Sequence, residues 1–186
     1  SWESVTLRKY QAITALFKEA EKKGVNLKNK AKELHDYHTE CALISTLTDT
    51  DMDDILALHR GAHNRIMNEL SFLSTPIIGK VKTRVRVNKQ KYYFEKDATK
   101  INGGQWVSIM HFLNNDESGK DEDEHINANL HNLLACFTSR INYIGWKTAV
   151  YSDEEIATMK PYQGKNHKEV AVDMLDIPIT VVKPLT

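Results

Sequence analysis

Apolar residues recur every three or four positions along most of this chain, a period that predicts amphipathic helices. The first predicted helix follows Thr6, which is a typical N-cap residue. A second helix is predicted over residues 29–47, and a short acidic helix follows from Thr50. Gly61 is expected to interrupt the pattern, and a fourth helix then continues towards Pro76, because proline cannot extend a helix. This part of the chain therefore predicts a helical body.

The same helical period returns in the second half of the chain. Asn102 and two glycines begin one predicted helix, and two more are predicted over residues 126–140 and 167–175. A short helix is also expected from Ser152. The apolar tail, residues 177–182, is predicted as extended backbone, either an added strand or an arm that docks on a neighbour.

Residues 80–94, with the sequence KVKTRVRVNKQKYYF, replace the helical period by alternating apolar and charged positions. Such alternation is typical of a strand with one buried face, and residues 88–90 form the predicted turn of a β-hairpin. A two-stranded ribbon alone is only marginally stable, so it must pack on the helices or gain a third strand. The exposed, basic face is predicted to carry Lys82, Arg84 and Arg86. In the second strand, Tyr92 and Phe94 are predicted on one face and Tyr93 on the other.

These elements together predict an α+β fold that is mostly helical. We expect a helical bundle body with one β-hairpin at residues 80–96 and an extended C-terminal arm. A chain of 186 residues is long enough for a sizeable core in one domain. The predicted boundaries are a single domain over residues 1–175 and an arm over residues 176–186.

Charge is balanced over the whole chain but uneven along it. Lysine plus arginine number 25, and aspartate plus glutamate also number 25, so net charge favours neither nucleic acid nor a membrane surface. Residues 80–91 nevertheless contain six cations and no acid, whereas residues 114–125 contain six acids and one lysine. We expect the acidic stretch to be an exposed loop, and the two stretches to face either each other or partners.

The candidate metal and catalytic patterns fail on their spacing. Asp49, Asp51 and Asp53 imitate the start of a calcium loop, but Asp54 stands where that loop needs glycine. The set formed by His35, His38 and Cys41 drifts around a helix and lacks a fourth ligand. The two cysteines are expected to be buried free thiols, and no apolar run approaches a membrane span. We therefore predict a non-enzyme without cofactor or metal, in a cytosol or an assembly formed there.

The basic hairpin is the sharpest candidate for binding. Its cations are expected to solubilise an exposed strand, to meet a protein partner, or to follow a phosphate backbone while Tyr92 or Tyr93 stacks on bases. The apolar tail is the second candidate surface. The predicted partner-binding residues are Arg84, Arg86, Lys91 and Tyr93 on the hairpin, with Ile179 and Val181 on the tail.

Several stretches of the chain resemble small virion and tail-morphogenesis proteins of tailed bacteriophages of Bacteroides-like hosts. The resemblance covers roughly residues 2–137 and is carried by WESVTLRKYQAI, LSFLSTP, VKTRVRVNKQKYYF, DATKINGGQWVSIMHFL and NLHNLLACF. It differs at Gly104, where the family pattern has a small or apolar residue, and in the acidic stretch. Members of this group are described as tail assembly chaperone-like or as virion proteins.

The resemblance implies a non-enzymatic protein that acts by protein–protein docking, as a structural component or an assembly chaperone. It implies other phage structural or assembly proteins as partners, and further copies of the same chain are also expected as partners. The expected location is the virion or the host cytoplasm. None of the resembling motifs carries a catalytic role, so no active site is transferred. A nucleic-acid-binding accessory protein that uses the basic hairpin is the alternative.

Overall fold

The computed structural model describes residues 1–79, 82–95, 97–114, 122–141, 152 and 164–182. Contacts group the chain into two compact units, Ser1–Ile78 and Gly79–Thr186. One domain over residues 1–175 is predicted from the sequence, whereas the contacts divide the chain shortly after Pro76. The proline ends the preceding helical turn, and the backbone up to Gly79 then forms neither helix nor strand. The hairpin therefore groups with the second half of the chain.

The first unit consists of helices. Its elements are α1 (Leu7–Gly24), α2 (Lys30–Thr48), α3 (Met52–Leu56) and α4 (Arg60–Glu69), with 3-10 turns at Trp2–Ser4 and Leu70–Ser74. Thr6 caps α1 as predicted, because its side-chain oxygen accepts a hydrogen bond from the Lys9 amide at 3.4 Å. The four predicted helices are thus all present.

Two predicted helix boundaries in this unit need correction. Asp51 caps α3 instead of Thr50, since the Asp51 carboxylate accepts from the Asp53 amide at 2.9 Å. Gly61 does not end the third helix, which already stops at Leu56, but lies in the first turn of α4, where its amide donates to His59 Nδ1 at 3.1 Å. In both places a side chain that satisfies a free backbone amide decides where the helix begins.

The core of the first unit forms where α2 meets α3 and α4. Cys41, Ile44 and Ile55 are buried there, and Met67 and Leu70 are among the partly buried residues that pack against them. The C-terminal end of α2 is held by α1, because Lys9 Nζ donates to the Leu47 carbonyl and to Asp49, both at 2.6 Å. A cation at this end also suits the helix dipole.

The second unit combines helices with a small antiparallel sheet, which confirms the predicted α+β, mostly helical class. The strands β1 (Arg84–Val87), β2 (Gln90–Phe94) and β3 (Thr138–Ile141) lie in that spatial order. The helices are α5 (Gly103–Leu113), α6 (Glu122–Cys136), α7 (His167–Met174) and α8 (Ile179–Val182), with 3-10 turns at Ala98–Lys100 and Gly164–Asn166. The turn lies where it was expected but is one residue shorter, because Asn88 and Lys89 form it with positive φ angles of 48° and 66° while Gln90 already pairs with Val87.

A third strand supports the hairpin, as its marginal stability requires. The helix predicted over residues 126–140 ends at Cys136, and β3 pairs with β2 so that Ser139 lies opposite Tyr93. The Thr138 hydroxyl donates to the Leu134 carbonyl at 2.6 Å, which satisfies one of the last carbonyls of α6. Strand pairing therefore overrides the helical pattern at the end of this segment.

The predicted extended C-terminal arm is wrong over the described residues. Ile179–Val182 form the short helix α8, in which the Val181 amide donates to the Pro178 carbonyl at 2.9 Å. Ile177, Ile179 and Val182 are completely buried. A run of β-branched residues resembles a strand in sequence, but burial of these side chains in the core of the unit decides the conformation.

Several predicted features lie outside the described residues. They include most of the acidic stretch, the short helix expected from Ser152 and the last four residues of the tail. The acids at positions 122–124 are described, and they form the first turn of α6, where negative charge suits the helix dipole.

Candidate functional site

The sheet brings four of the predicted partner-binding residues onto one face. Residues directly opposite each other in antiparallel strands project to the same side, and Arg84 lies opposite Tyr93 while Arg86 lies opposite Lys91. Ser139 and Ile141 continue these two rows on β3. We call the side that carries Arg84, Arg86 and Lys91 the basic face.

Exposure separates the cations on this face from the tyrosine. Arg84 and Arg86 are exposed and Lys91 is partly buried. Tyr93 is only 8% exposed and Ile141 only 1%. The prediction that Tyr93 offers an accessible contact is therefore wrong, because its ring is enclosed next to the cations. The accessible chemistry of the face is positive charge.

The opposite face of the sheet belongs to the core. Tyr92 and Phe94 are each 1% exposed, and the Tyr92 hydroxyl donates to the Asp173 carboxylate on α7. Burial, and secondly the hydrogen bond to Asp173, raise the pKa of Tyr92 well above its ordinary value. At the edge of this face Arg140 lies 3.6 Å from Glu169. The sheet is thus anchored on one side and presents the basic face on the other.

The hairpin turn is fixed to the same helix. Asn88 Nδ2 donates to Asp173 at 2.9 Å and to Asp176 at 3.1 Å. Together with Tyr92, this gives the Asp173 carboxylate two donors from the hairpin. The basic strands are therefore held in place instead of hanging from a mobile loop. Sequence reasoning missed this cluster, because its partners lie more than eighty positions apart.

The two tail residues predicted to bind a partner are unavailable for it. Ile179 is completely buried and Val181 is 3% exposed. Their role in the second unit is packing, so their assignment as partner-binding residues is corrected. The same segment contributes Ile177, which is also fully buried.

Exposed apolar residues occur on α5, where sequence reasoning proposed no contact. Trp106 is 55% exposed, Val107 68% and Leu113 41%, and Met110 is partly buried. We call these four residues the α5 stripe. The opposite side of the helix is buried, and Gln105 there donates to the Cys136 carbonyl at 2.7 Å. A signal was present in the sequence, since this helix is apolar on two sides and contains no lysine, arginine, aspartate or glutamate.

The first unit has a groove between α1 and α2 with a volume of about 560 Å³. Its lining includes Phe17, Glu21 and Asp36, and among the described lining residues there is neither cysteine nor serine. The hydroxyl of Thr39, which also lines it, donates to the His35 carbonyl within α2 at 2.9 Å. The groove therefore shows no activated nucleophile.

A buried histidine lies near this groove. His63 is 2% exposed, and its Nε2 lies 3.7 Å from the Glu40 carboxylate, beyond hydrogen-bond distance. The Tyr37 ring lies 4.9 Å from the imidazole ring. A hydrogen bond with Cys41, and secondly burial, raise the pKa of Tyr37 above its ordinary value. Because Cys41 is inaccessible, this cluster offers no reactive thiol to a substrate.

The candidate metal ligands do not assemble a site. His35 Nε2 is hydrogen-bonded with the Ala20 carbonyl at 2.9 Å, and Cys41 is buried in the core. Among the residues that the structure describes, no group of three or more histidine, cysteine or acidic side chains is arranged to hold a metal ion. Within the same part of the chain, no helix combines the length and apolarity needed to cross a membrane.

Comparison with known proteins adds no assignment. Neither a protein-family model nor a curated protein nor a solved structure matches this chain. The basic face and the α5 stripe are therefore the two surfaces from which function can be inferred.

Proposed function

We propose that this protein is a non-enzymatic docking component of bacteriophage morphogenesis, in which the basic face binds an acidic surface on another phage structural or assembly protein. The observation that carries the proposal is the placement of Arg84 and Arg86, both exposed, on the side of the sheet turned away from α7. The phage context rests on the sequence resemblance described above.

The cations of the basic face lie on strands that are fixed to α7, which supports docking on another protein. Arg86 and Lys91 lie directly opposite each other and Arg84 lies on the same side, so three cations are grouped on one face of the sheet. Tyr92 and Asn88 hold the strands on α7, so little ordering of the hairpin is needed on binding.

The burial of the aromatic residues favours a protein over nucleic acid as the partner. Single-stranded nucleic acid is usually bound by cations together with aromatic rings on which bases stack. Tyr92 and Tyr93, the rings predicted to stack, are both buried. A nucleic acid could therefore contact this face only through its phosphates, without stacking of bases. Docking of an acidic protein surface requires only the cations.

Site-specific crosslinking in phage-producing cells tests the proposal. A photo-crosslinking amino acid at Arg86 should capture a phage structural or assembly protein, identified by mass spectrometry. The matched control carries the same amino acid at Lys165, which is exposed on the 3-10 turn that precedes α7. Crosslinks to nucleic acid, or equal capture at both positions, would contradict the proposal.

Charge reversal provides the second arm of this test. The variant R84E/R86E should lose the crosslinked partner, because both exposed arginines would repel an acidic surface. K165E/K168E makes the same change in charge at two exposed lysines of the same unit and should retain the crosslinked partner.

Protein mass spectrometry on purified virions distinguishes a structural component from an assembly chaperone. A fixed, high copy number indicates a structural component, and presence only in infected-cell lysates indicates an assembly chaperone.

A further inference from the structure

Helix α5 has one side that packs in the protein and one apolar side that does not. Gln105 and Ile109 are buried, and Ile109 packs with Leu133 and Cys136 of α6. Trp106, Met110 and Leu113 are spaced by four and three positions, so they share another side of the helix. On that side Trp106 and Leu113 are exposed, and Val107 beside them is the most exposed of the stripe.

The composition of the α5 stripe is that of a contact surface. Tryptophan and methionine are enriched in protein interfaces, and tryptophan most often supplies a large share of the binding energy. The sequence of α5, GGQWVSIMHFL, has no lysine, arginine, aspartate or glutamate to solvate the stripe. An exposed tryptophan in a stripe without lysine, arginine, aspartate or glutamate is unusual for a surface that meets only water.

The two ends of α5 differ in charge. At its C-terminal end, His125 Nε2 is hydrogen-bonded with the Phe112 carbonyl at 2.7 Å, which places the acidic first turn of α6 beside the last turn of α5. Glu122 and Asp123 in that turn are exposed. At the N-terminal end, the helix dipole is positive and Lys100 is exposed two positions before the N-cap residue.

The backbone at the N-terminal end of α5 is open to a second chain. A Cβ atom added at Gly103 would meet no heavy atom within 4 Å, so a second backbone can approach closely there. The one acid of the preceding turn, Asp97, accepts hydrogen bonds from the Thr99 amide at 3.0 Å and hydroxyl at 2.6 Å. These two bonds, and after them the positive charge of nearby Lys100, lower the pKa of Asp97.

We propose that the α5 stripe is the contact between two copies of this chain, which pair by a twofold axis with their α5 helices antiparallel. A twofold interface joins a surface to itself, so that surface must be self-complementary. The stripe meets this requirement, because antiparallel pairing sets the acidic end of one copy against the Lys100 and Gly103 end of the other. The apolar residues then meet at the centre.

This inference does not rest on the proposed function, since it uses a surface other than the basic face. An 11-residue helix is about 16 Å long, and it covers less area than the roughly 800 Å² per partner of a standard interface. We therefore expect a reversible dimer with a dissociation constant in the micromolar range.

Sedimentation velocity on the full chain, over protein concentrations from well below to well above that range, measures the dimer directly. Trp106→Ala should weaken dimerisation by more than about tenfold, because truncation of an interface tryptophan usually removes a large part of the binding energy. Val172→Ala is the matched control, since Val172 is an apolar residue of α7 that is also 54% exposed. It should leave the dissociation constant unchanged.

Charge reversal at the two ends tests the antiparallel arrangement. Lys100→Glu alone makes both ends of the stripe acidic, and Glu122→Lys with Asp123→Lys makes both ends basic, so each variant should be monomeric. Mixing the two variants should restore a dimer that contains one chain of each kind. Circular dichroism checks that each variant is folded.

Three results would overturn the inference. A wild-type chain that stays monomeric at every concentration excludes the dimer. A dimer that Trp106→Ala leaves intact excludes the α5 stripe as its contact. A dimer that depends on Trp106 but shows no recovery when the two charge variants are mixed excludes the antiparallel pairing.

Discussion

The hydroxyl of Tyr92 donates to the carboxylate of Asp173 and thereby joins the central strand of the sheet to α7. Tyr92 is 1% exposed, and the same carboxylate also accepts from Asn88 at the hairpin turn. One acidic side chain thus fixes both the strand and the turn of the hairpin that carries the basic face. The position of the exposed arginines depends on this buried contact.

Tyr92→Phe should destabilise the protein by about 1–3 kcal/mol, because it leaves a partly buried carboxylate without one of its donors. The free energy of unfolding from urea denaturation measures the loss. Asp173→Asn should offset part of it in the double variant, since a neutral amide tolerates the missing donor better than a carboxylate. Equal stability of wild type and Tyr92→Phe would show that the hydrogen bond contributes nothing.

The same residue predicts how stability depends on pH. Burial raises the pKa of Tyr92 in the folded state above its ordinary value of 10.0, so the folded protein favours the neutral phenol. Its contribution is therefore fully present below about pH 10 and is lost as pH rises through the folded pKa. The difference in unfolding free energy between wild type and Tyr92→Phe should shrink above pH 10. A difference that stays constant with pH would contradict this assignment.

Asn88→Gly separates the hydrogen bonds of the turn from its backbone conformation. Glycine tolerates the φ angle of 48° at least as well as asparagine does, so the substitution introduces no backbone strain. We expect a loss of about 1 kcal/mol in the free energy of unfolding, because the bonds to Asp173 and Asp176 disappear. An increase in stability would mean that the turn conformation outweighs both hydrogen bonds.

Ile179→Ala tests whether the C-terminal segment is core or docking arm. Complete burial of Ile179 predicts a loss of about 2–5 kcal/mol in the free energy of unfolding, from lost burial and the cavity left behind. Val172→Ala, at an exposed position of α7, should change it by no more than about 0.5 kcal/mol. If the two substitutions had equal small effects, the segment would not be part of the core.

Thiol reactivity tests the packing of both units at once. Cys41 and Cys136 are free, and each is 0% exposed. An aromatic disulfide reagent should therefore react with neither thiol in the native protein and with both after denaturation, because only an accessible thiolate attacks. Rapid reaction of one thiol under native conditions would show that its unit opens readily.

Local signals were sufficient for most of the helices and for the hairpin. Thr6 marks the start of α1 through its own side chain, and the apolar period continues to Gly24. The hairpin turn depends on the backbone preferences of Asn88 and Lys89, which are properties of neighbouring residues. Signals of this kind act over a few positions, so a single sequence reveals them.

Contacts between distant parts of the chain decided the features that were predicted wrongly. Residues 138–141 continue a helical pattern in sequence, yet they pair with β2 and complete the sheet. Ile179 and Val181 have the β-branched composition of a strand, yet they form a helical turn in the core. In each case pairing or burial outweighs a local preference of less than about 1 kcal/mol per residue.

For the basic face and the α5 stripe, too, some features follow from the sequence and others only from the tertiary structure. The sequence by itself determined that cations alternate along the hairpin and that α5 lacks charge, because composition and period require no partner. Only the tertiary structure decided that Tyr93 is buried beside exposed arginines, and that Ile109 instead of Trp106 faces α6. An apolar residue has the same sequence signature whether it is enclosed or exposed, since burial depends on which other parts of the chain pack against it.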